Sequence, residues 1–214
     1  TQLPTGWGVE QQITCVDGST FQMYMANMKS IFMDMIKNTD MVIFNRCKKE
    51  DPLPTYRRGI KVANQRAEVI FEDEEGELGD IFQDEMPFDM NAPVIEILPE
   101  DYGIWFVDAM DHPENYEGKT VKFKARVMKP RGMGSKFFVP GRTAMTCCAD
   151  DTTFLGYVCK SAYAPKLTPG EWVEVTAKVG IEKRNEYQGE EGIVLAAEHV
   201  EQCDPLEDEM VYFN

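Results

Sequence analysis

The densest group of reactive side chains stands in the C-terminal half of the sequence. Arg142 precedes two adjacent cysteines, Cys147 and Cys148, and the carboxylates Asp150 and Asp151 follow them at once. Thiolates and carboxylates are ligands that Zn²⁺ accepts, so the four Cys and Asp residues form a candidate metal site. A guanidinium beside a thiol lowers the thiol pKa, whereas nearby carboxylates raise it. A thiol-redox site at Cys147 or Cys148 is therefore the alternative chemistry.

The position of this block decides how its side chains can meet. It lies in a region of alternating residues typical of a β-strand, where neighbouring side chains point to opposite faces. Cys147 and Cys148 therefore face apart unless a bulge or turn brings both thiols together. We expect such a distortion at one mouth of a barrel, with at least one thiol accessible. We also expect Arg142 to pair with Asp150 or Asp151. The packing alternative is that one cysteine is core and the other half-buried, since free Cys packs as a small hydrophobe.

Other potential ligands and catalytic groups are scattered. The six cysteines include no CxxC pair, and the only histidines are His112 and His199, so the pattern is not that of a zinc ribbon. Any further zinc ligands would come from Cys159, His199 and Cys203. The sequence holds no glycine-rich phosphate loop, HExxH motif or nucleophile elbow. It therefore predicts no catalytic residues.

Charge is distributed unevenly along the chain. The net charge is −15, and residues 67–118 carry 17 acids without a single Lys or Arg. The remaining 20 acids and 22 bases nearly balance. No basic stripe suited to phosphate neutralisation is visible, which argues against nucleic acid as a partner. The acidic stretch 72–76 lacks the ordered ligand spacing of a Ca²⁺ loop, so we predict a solvated hairpin tip there.

The first part of the chain, residues 1–98, is predicted to form an N-terminal domain of α+β or β type. A methionine-rich segment has the spacing of an amphipathic helix, with apolar side chains at Phe21, Met25, Met28, Phe32, Met35 and Ile36. We interpret it as a core helix or a partner-binding face rather than a Cu(I) site, because Met commonly serves as filler. The predicted strands are Val9–Cys15, Met41–Cys47 and a long strand over Arg58–Phe71.

The second part, residues 99–214, is predicted to be an OB-like β-barrel domain that carries the Cys-Cys block. Pro99 opens a short helix whose buried stripe includes Trp105 and Phe106, and His112-Pro113 ends it. Five strand candidates separated by turn residues follow, as a small barrel of the OB type requires; they are 121–127, 136–145, 153–161, 172–179 and 192–200. The predicted fold class is therefore mainly β with minor α.

Membrane and export signals are not visible in the sequence. No apolar run reaches the eighteen residues of a membrane span, and no signal peptide precedes the first strand candidate. Because Thr1 is not a natural start, we expect a trimmed or mature chain, with any lipid anchor or membrane helix upstream of Thr1.

The last hundred or so residues resemble the soluble C-terminal region of the YcgQ-like family of bacterial proteins, which are regarded as permease subunits or membrane-associated lipoproteins. The resemblance covers residues 100–214 and rests on four separated stretches in the same order. They are Tyr116–Val121, the block of Arg142, Cys147, Cys148, Ala149, Asp150 and Asp151 with Gly156, Trp172–Val175, and Met210–Tyr212. Family members usually carry membrane helices in the region that corresponds to residues 1–98, and this sequence has none there.

The resemblance implies a non-enzymatic accessory or binding protein of a membrane permease, outside the cytoplasm and associated with the membrane. Zinc is the ion that the resemblance implies, as a cofactor or cargo. The signature residues Arg142, Cys147, Cys148, Ala149, Asp150 and Gly156 transfer without an assigned task. The alternatives from the residues alone are a thiol-redox protein and a structural interaction module.

Overall fold

The computed structural model describes residues 4–79, 86–148 and 151–212, and it gives Cys147 and Cys148 as strand backbone only. The chain divides into two compact units. The first contains Thr1–Asp84 and Thr146–Asp151, and the second contains Glu85–Met145 and Thr152–Tyr212. Each unit has its own core.

The first unit is built around a parallel three-stranded sheet. Strands β1 (Ile13–Asp17), β2 (Met41–Asn45) and β3 (Glu68–Phe71) lie in that order. Helices α1 (Gly18–Ile36) and α2 (Leu53–Ala63) make the two crossovers, since parallel neighbours need a long connection. The core consists of one sheet face and the helix side chains packed on it, among them Val42, Phe44, Phe71, Phe21, Phe32, Ile36, Tyr56 and Ile60.

Helix α1 begins tightly against the end of β2. Asp17 caps it by accepting a hydrogen bond from the backbone N–H of Ser19. A Cβ atom at Gly18 would lie 2.8 Å from the Cys47 Sγ atom and 3.1 Å from the Asn45 carbonyl oxygen. Glycine at this position therefore allows the helix to start directly beside the β2 turn.

Two elements of the first unit differ from the sequence prediction. The predicted long strand over Arg58–Phe71 is wrong, because helix α2 occupies Leu53–Ala63 and only Glu68–Phe71 is extended. The buried residues Leu53, Tyr56 and Ile60 recur at helical steps, and this period outweighs the β-propensity of Ile60 and its neighbours. Strand β1 also begins later than predicted, at Ile13.

The second unit is a closed five-stranded barrel, which confirms the mainly-β fold class and the OB-like architecture. Its strands are β5 (Thr120–Met128), β6 (Phe137–Cys148), β8 (Val158–Lys160), β9 (Trp172–Lys183) and β10 (Glu191–Gln202). They pair in the closed order β5-β9-β10-β8-β6-β5, with only the β8–β10 pair parallel. Strand β7 (Asp151–Gly156) pairs with β6 outside this ring.

Short flanking segments complete the sheet. Strand β4 (Ile95–Glu96) runs parallel to β5, and β11 (Met210–Val211) runs parallel to β6. Both are two residues long, so side chains must help to hold them in place.

The barrel interior is filled by aromatic side chains. Helix α3 (Tyr102–Asp111) follows a 3-10 turn at Pro99–Asp101 and ends at His112, as the sequence predicts. Its Trp105 ring packs 4.8 Å from Phe123, and its Phe106 ring stacks 4.7 Å from Tyr157. A ligand therefore has to bind at a surface of this barrel, because side chains occupy its centre.

Candidate functional site

The Cys-Cys block lies at the tip of the β6–β7 hairpin. Strand β6 continues through Cys148 and β7 begins at Asp151. The Thr146 hydroxyl donates to the Asp151 carbonyl oxygen at 2.7 Å and ties the two strands together below the tip. Both cysteines have extended backbone, but their side chains lie outside what the structure describes, so the predicted metal and redox roles of their thiols stay predictions. Ala149 and Asp150 lie outside the described residues, so their predicted roles stay predictions.

Asp151 is held by a cation from elsewhere in the first unit. Its Oδ2 atom lies 3.1 Å from the Lys37 Nζ atom, and its side chain is 29 % exposed. Both residues belong to the first unit. A metal ion that used this carboxylate would therefore compete with an ammonium group for it.

Arg142 is held by backbone carbonyl groups. Its side chain is buried, and its guanidinium donates to the carbonyl oxygens of Pro99, Asp208 and Met210. It also lies 5.6 Å from the centre of the Tyr102 ring. Its buried Nε atom has no hydrogen-bond partner among the described residues. The predicted pairing of Arg142 with Asp150 or Asp151 stays a prediction, because Asp150 lies outside the described residues. Arg142 thus fastens both flanking segments to β6.

Gly156 is explained by packing in the same hairpin. A Cβ atom there would lie 2.7 Å from the Pro140 carbonyl oxygen and 2.8 Å from Val139 Cγ1. Real side chains do not approach backbone so closely, which means that β6 and β7 can meet only with glycine at this position. This signature residue is therefore structural.

The more distant candidates for zinc ligands do not converge on one point. Cys159 is fully buried in β8, whereas the His199 side chain is 62 % exposed and lies 3.3 Å from Glu201. Cys203 follows the end of β10, and its backbone N–H donates to the carbonyl oxygen of Trp172, the first residue of β9. Across the described ranges 4–79, 86–148 and 151–212, no three His, Cys, Asp or Glu side chains form a metal-binding group.

Burial makes two of the described thiols poor nucleophiles. It raises the pKa of Cys47 to about 11 and that of Cys159 to about 12, because a thiolate loses its hydration inside the protein. Burial also raises the pKa of Cys203. A thiol-redox function would therefore rest on Cys147 and Cys148, or on the exposed Cys15.

The acidic stretch forms the solvated turn that the sequence predicts. The Asp73 Oδ1 atom accepts hydrogen bonds from the backbone N–H groups of Glu75 and Gly76. The backbones of Glu72 and Glu77 form an isolated antiparallel β-bridge across the turn. Glu74 and Glu75 are exposed. Asp73 thus stabilises the turn itself, as Asp commonly does at this position.

The structure has a cleft at the carboxyl ends of the parallel strands that the sequence analysis does not predict. In open α/β sheets this edge is the usual place for ligands. The cleft has a volume of about 540 Å³ and is lined by residues of the turns after β2 and β3, namely Arg46, Cys47, Lys48, Lys49, Glu50, Asp73, Glu74 and Glu75, together with Ser19.

Two features beside this cleft are unusual. The buried Oδ1 atom of Asn45 has no hydrogen-bond partner among the described residues. The next residue, Arg46, adopts a left-handed backbone with φ 54°, and its guanidinium lies 2.7 Å from Asp17 Oδ2. Unsatisfied buried acceptors and left-handed non-glycine residues both concentrate at functional sites. The predicted strand Met41–Cys47 is two residues too long, because β2 ends at Asn45 and the turn begins at Arg46.

Replacing Arg142 with Ala should destabilise the protein by about 2–4 kcal/mol, since the change leaves buried carbonyl oxygens unpaired and opens a cavity. Urea denaturation followed by tryptophan fluorescence measures this change. The matched control is Arg131→Ala, because Arg131 is exposed in the β5–β6 loop and should shift stability by less than about 0.5 kcal/mol. Equal unfolding midpoints for the two variants would show that Arg142 is not a clamp.

Comparisons with known proteins show likeness in sequence to one family and only distant likeness to solved structures. No curated protein matches the chain. The mitochondrial single-stranded DNA binding protein Rim1 from S. cerevisiae aligns at 10 % identity and a TM-score of 0.25, over 41 % of this chain and 97 % of that one.

Two aspartyl-tRNA synthetases give similar values. The one from Leishmania major aligns at 18 % identity and a TM-score of 0.28, over 54 % of this chain and 21 % of its own. The one from Entamoeba histolytica aligns at 15 % identity and a TM-score of 0.28, over 55 % of this chain and 27 % of its own. This chain therefore spans only about a quarter of either synthetase.

The match in sequence is much more extensive. Residues 77–213, which include the whole barrel and the Cys-Cys block, match the DUF1980 C-terminal domain. This match is consistent with the resemblance of residues 100–214 to YcgQ-like proteins. The chain belongs to the DUF1980 C-terminal domain family.

Proposed function

We propose that the chain is a non-catalytic binding protein that binds Zn²⁺ through Cys147 and Cys148 and serves a membrane permease as an accessory component. The observation that carries this proposal is the position of the two adjacent cysteines at the end of β6, with two residues between them and the carboxylate of Asp151 at the start of β7. The thiols of Cys47 and Cys159 are buried and have raised pKa values.

The chemistry of the tip supports zinc over a redox role. Two thiolates together with one or two carboxylates give a donor set that Zn²⁺ accepts. Strand β7 pairs with β6, and Cys148 ends one strand where Asp151 begins the other, so donors from both strands can serve one ion. Zinc binding would release the thiol protons and would draw Asp151 away from Lys37.

The absence of a catalytic arrangement among the described residues supports a binding role. His112 lies at the end of α3 and His199 lies in β10, and each is at least a third exposed, with a carboxylate of Glu114 or Glu201 nearby. Neither imidazole has a described contact with a thiol or hydroxyl that it would activate. A binding protein needs no such pair.

Calorimetric titration with Zn²⁺ alone tests the metal site. The unmodified chain should bind one equivalent, and Cys147→Ser combined with Cys148→Ser should weaken binding at least 100-fold while the circular dichroism spectrum stays unchanged. The control is Cys15→Ser combined with Cys203→Ser, which removes two thiols outside the hairpin. Equal binding by both double variants, or no binding by the unmodified chain, would refute the zinc site.

The permease partnership and an extracytoplasmic place at the membrane are further parts of the proposal, and the family resemblance supports them. Within the described residues, no helix has the length and hydropathy needed to span a bilayer. The exposed Cys15 offers a probe. A membrane-impermeant maleimide should label Cys15 in intact cells, with a Cys15→Ser chain as the control. Labelling only after lysis would place the protein inside.

A further inference from the structure

Helix α1 is apolar on more than the face that it buries. Its 19 residues include only two charged side chains, Lys29 and Asp34, although the chain as a whole is 28 % charged. The inner face packs into the first core through Phe21, Phe32, Met33 and Ile36. A helix that is apolar around most of its circumference is normally covered on both sides.

A second apolar stripe runs along the outside of α1. Its members are large and much more exposed than core residues, at 55 % for Met23, 40 % for Tyr24, 41 % for Met28, 63 % for Ile31 and 54 % for Met35. The sequence prediction placed Met28 and Met35 on the same stripe as Phe21 and Phe32. The structure separates them, because the helix has non-helical backbone at Met28, with φ −137° and ψ 31°.

The outer stripe has the spacing of a helix–helix seam within each half of the helix. Tyr24 and Met28 are four residues apart up to the kink, and Ile31 and Met35 are four residues apart after it, so each pair lies on one face. The kink at Met28 divides the seam into two short segments, each of about two turns. Such short segments suit an antiparallel crossing of two helices better than a long coiled coil.

We propose that this outer stripe is the interface between two copies of the chain, packed α1 against α1 about a two-fold axis. A self-complementary stripe is what an isologous contact requires. In the antiparallel arrangement Tyr24 faces Met35 of the second copy and Met28 faces Ile31, so large and medium side chains alternate along the seam. Methionine adapts readily to such a contact.

The area and charge of the stripe fit a second copy. Five large side chains about half exposed give roughly 400–500 Å² of apolar surface per copy, so a two-fold contact buries about 800–1,000 Å² in total, which suits a weak, reversible dimer. The chain carries a net charge of −15, and two copies repel each other wherever acids meet. The outer face of α1 contributes Asp34 as its only acid, so it is a favourable place for two copies to approach.

A bilayer is a poorer occupant of this surface. Helices that lie in membrane interfaces present Lys and Arg on the face opposite their apolar face. The opposite face of α1 is instead the buried one, with Phe21 and Ile36 in the core. The inference is independent of the zinc proposal, since it concerns α1 alone.

Sedimentation velocity over roughly 1–200 μM measures the association, a range suited to a micromolar complex. The unmodified chain should pass from monomer to dimer within this range. Ile31→Glu and Ile31→Lys should each weaken dimerisation at least tenfold when studied alone. An equimolar mixture of the two variants should dimerise again, because position 31 of each copy faces Met28 of the other, and the two positions 31 are then within about one helical turn along the axis, close enough for opposite charges to attract.

The control is Val9→Glu, which changes charge and hydropathy in the same way at an exposed position outside α1. It should dimerise like the unmodified chain, and all variants should keep the same urea midpoint. A chain that stays monomeric throughout, a mixture that fails to recover, or binding of the unmodified chain to neutral lipid vesicles that Ile31→Glu abolishes would each overturn the proposal.

Discussion

The buried guanidinium of Arg142 is the interaction on which the second unit most depends. It donates to three carbonyl oxygens, of which that of Pro99 is more than a hundred residues in sequence from those of Asp208 and Met210. The segment that enters α3 and the two-residue strand β11 are too short to hold their places alone. Taking a guanidinium out of water lowers the Arg142 pKa and costs free energy, and the three charge-assisted hydrogen bonds offset this cost. The conspicuous cation next to the Cys-Cys block thus belongs to the scaffold and not to the chemistry of the thiols.

The sequence predicts an element correctly where its apolar residues repeat with a single period, either 3.6 residues for a helix or 2 residues for a strand. In the barrel, Val121, Phe123, Ala125 and Val127 alternate strictly with polar residues, and the observed β5 follows that pattern. In the first unit, the buried residues of Arg58–Phe71 are divided between a helix and a strand. A window that spans both elements averages a period of 3.6 with a period of 2 and leaves only β-branched composition as a signal. Composition then favours a strand where tertiary packing selects a helix.

The candidate sites show a similar division. Cys147, Cys148 and Asp151 are close in sequence, so a hairpin places them near one another without long-range information. The cleft between the turns after β2 and β3 depends on the order of the strands in the sheet. It also depends on the left-handed backbone of Arg46, a conformation that sequence patterns associate with glycine. Because Arg46 is an L residue in a region that favours glycine, sequence patterns predict an ordinary strand end. Turn geometry set by tertiary packing was therefore inaccessible from residue types.

Aromatic side chains fill the cores of both units, so we expect ligands to bind at the surface of each unit. The barrel centre holds Trp105, Phe123 and Tyr157, while the first core holds Phe21, Phe44 and Tyr56. Because the Cys47 and Cys159 thiols inside these cores keep their protons to about pH 11 and 12, a soft metal ion at neutral pH finds few thiolates there. Core packing thus distinguishes among the described cysteines without any ligand geometry, since it buries Cys47 and Cys159 but leaves Cys15 exposed and Cys203 partly exposed.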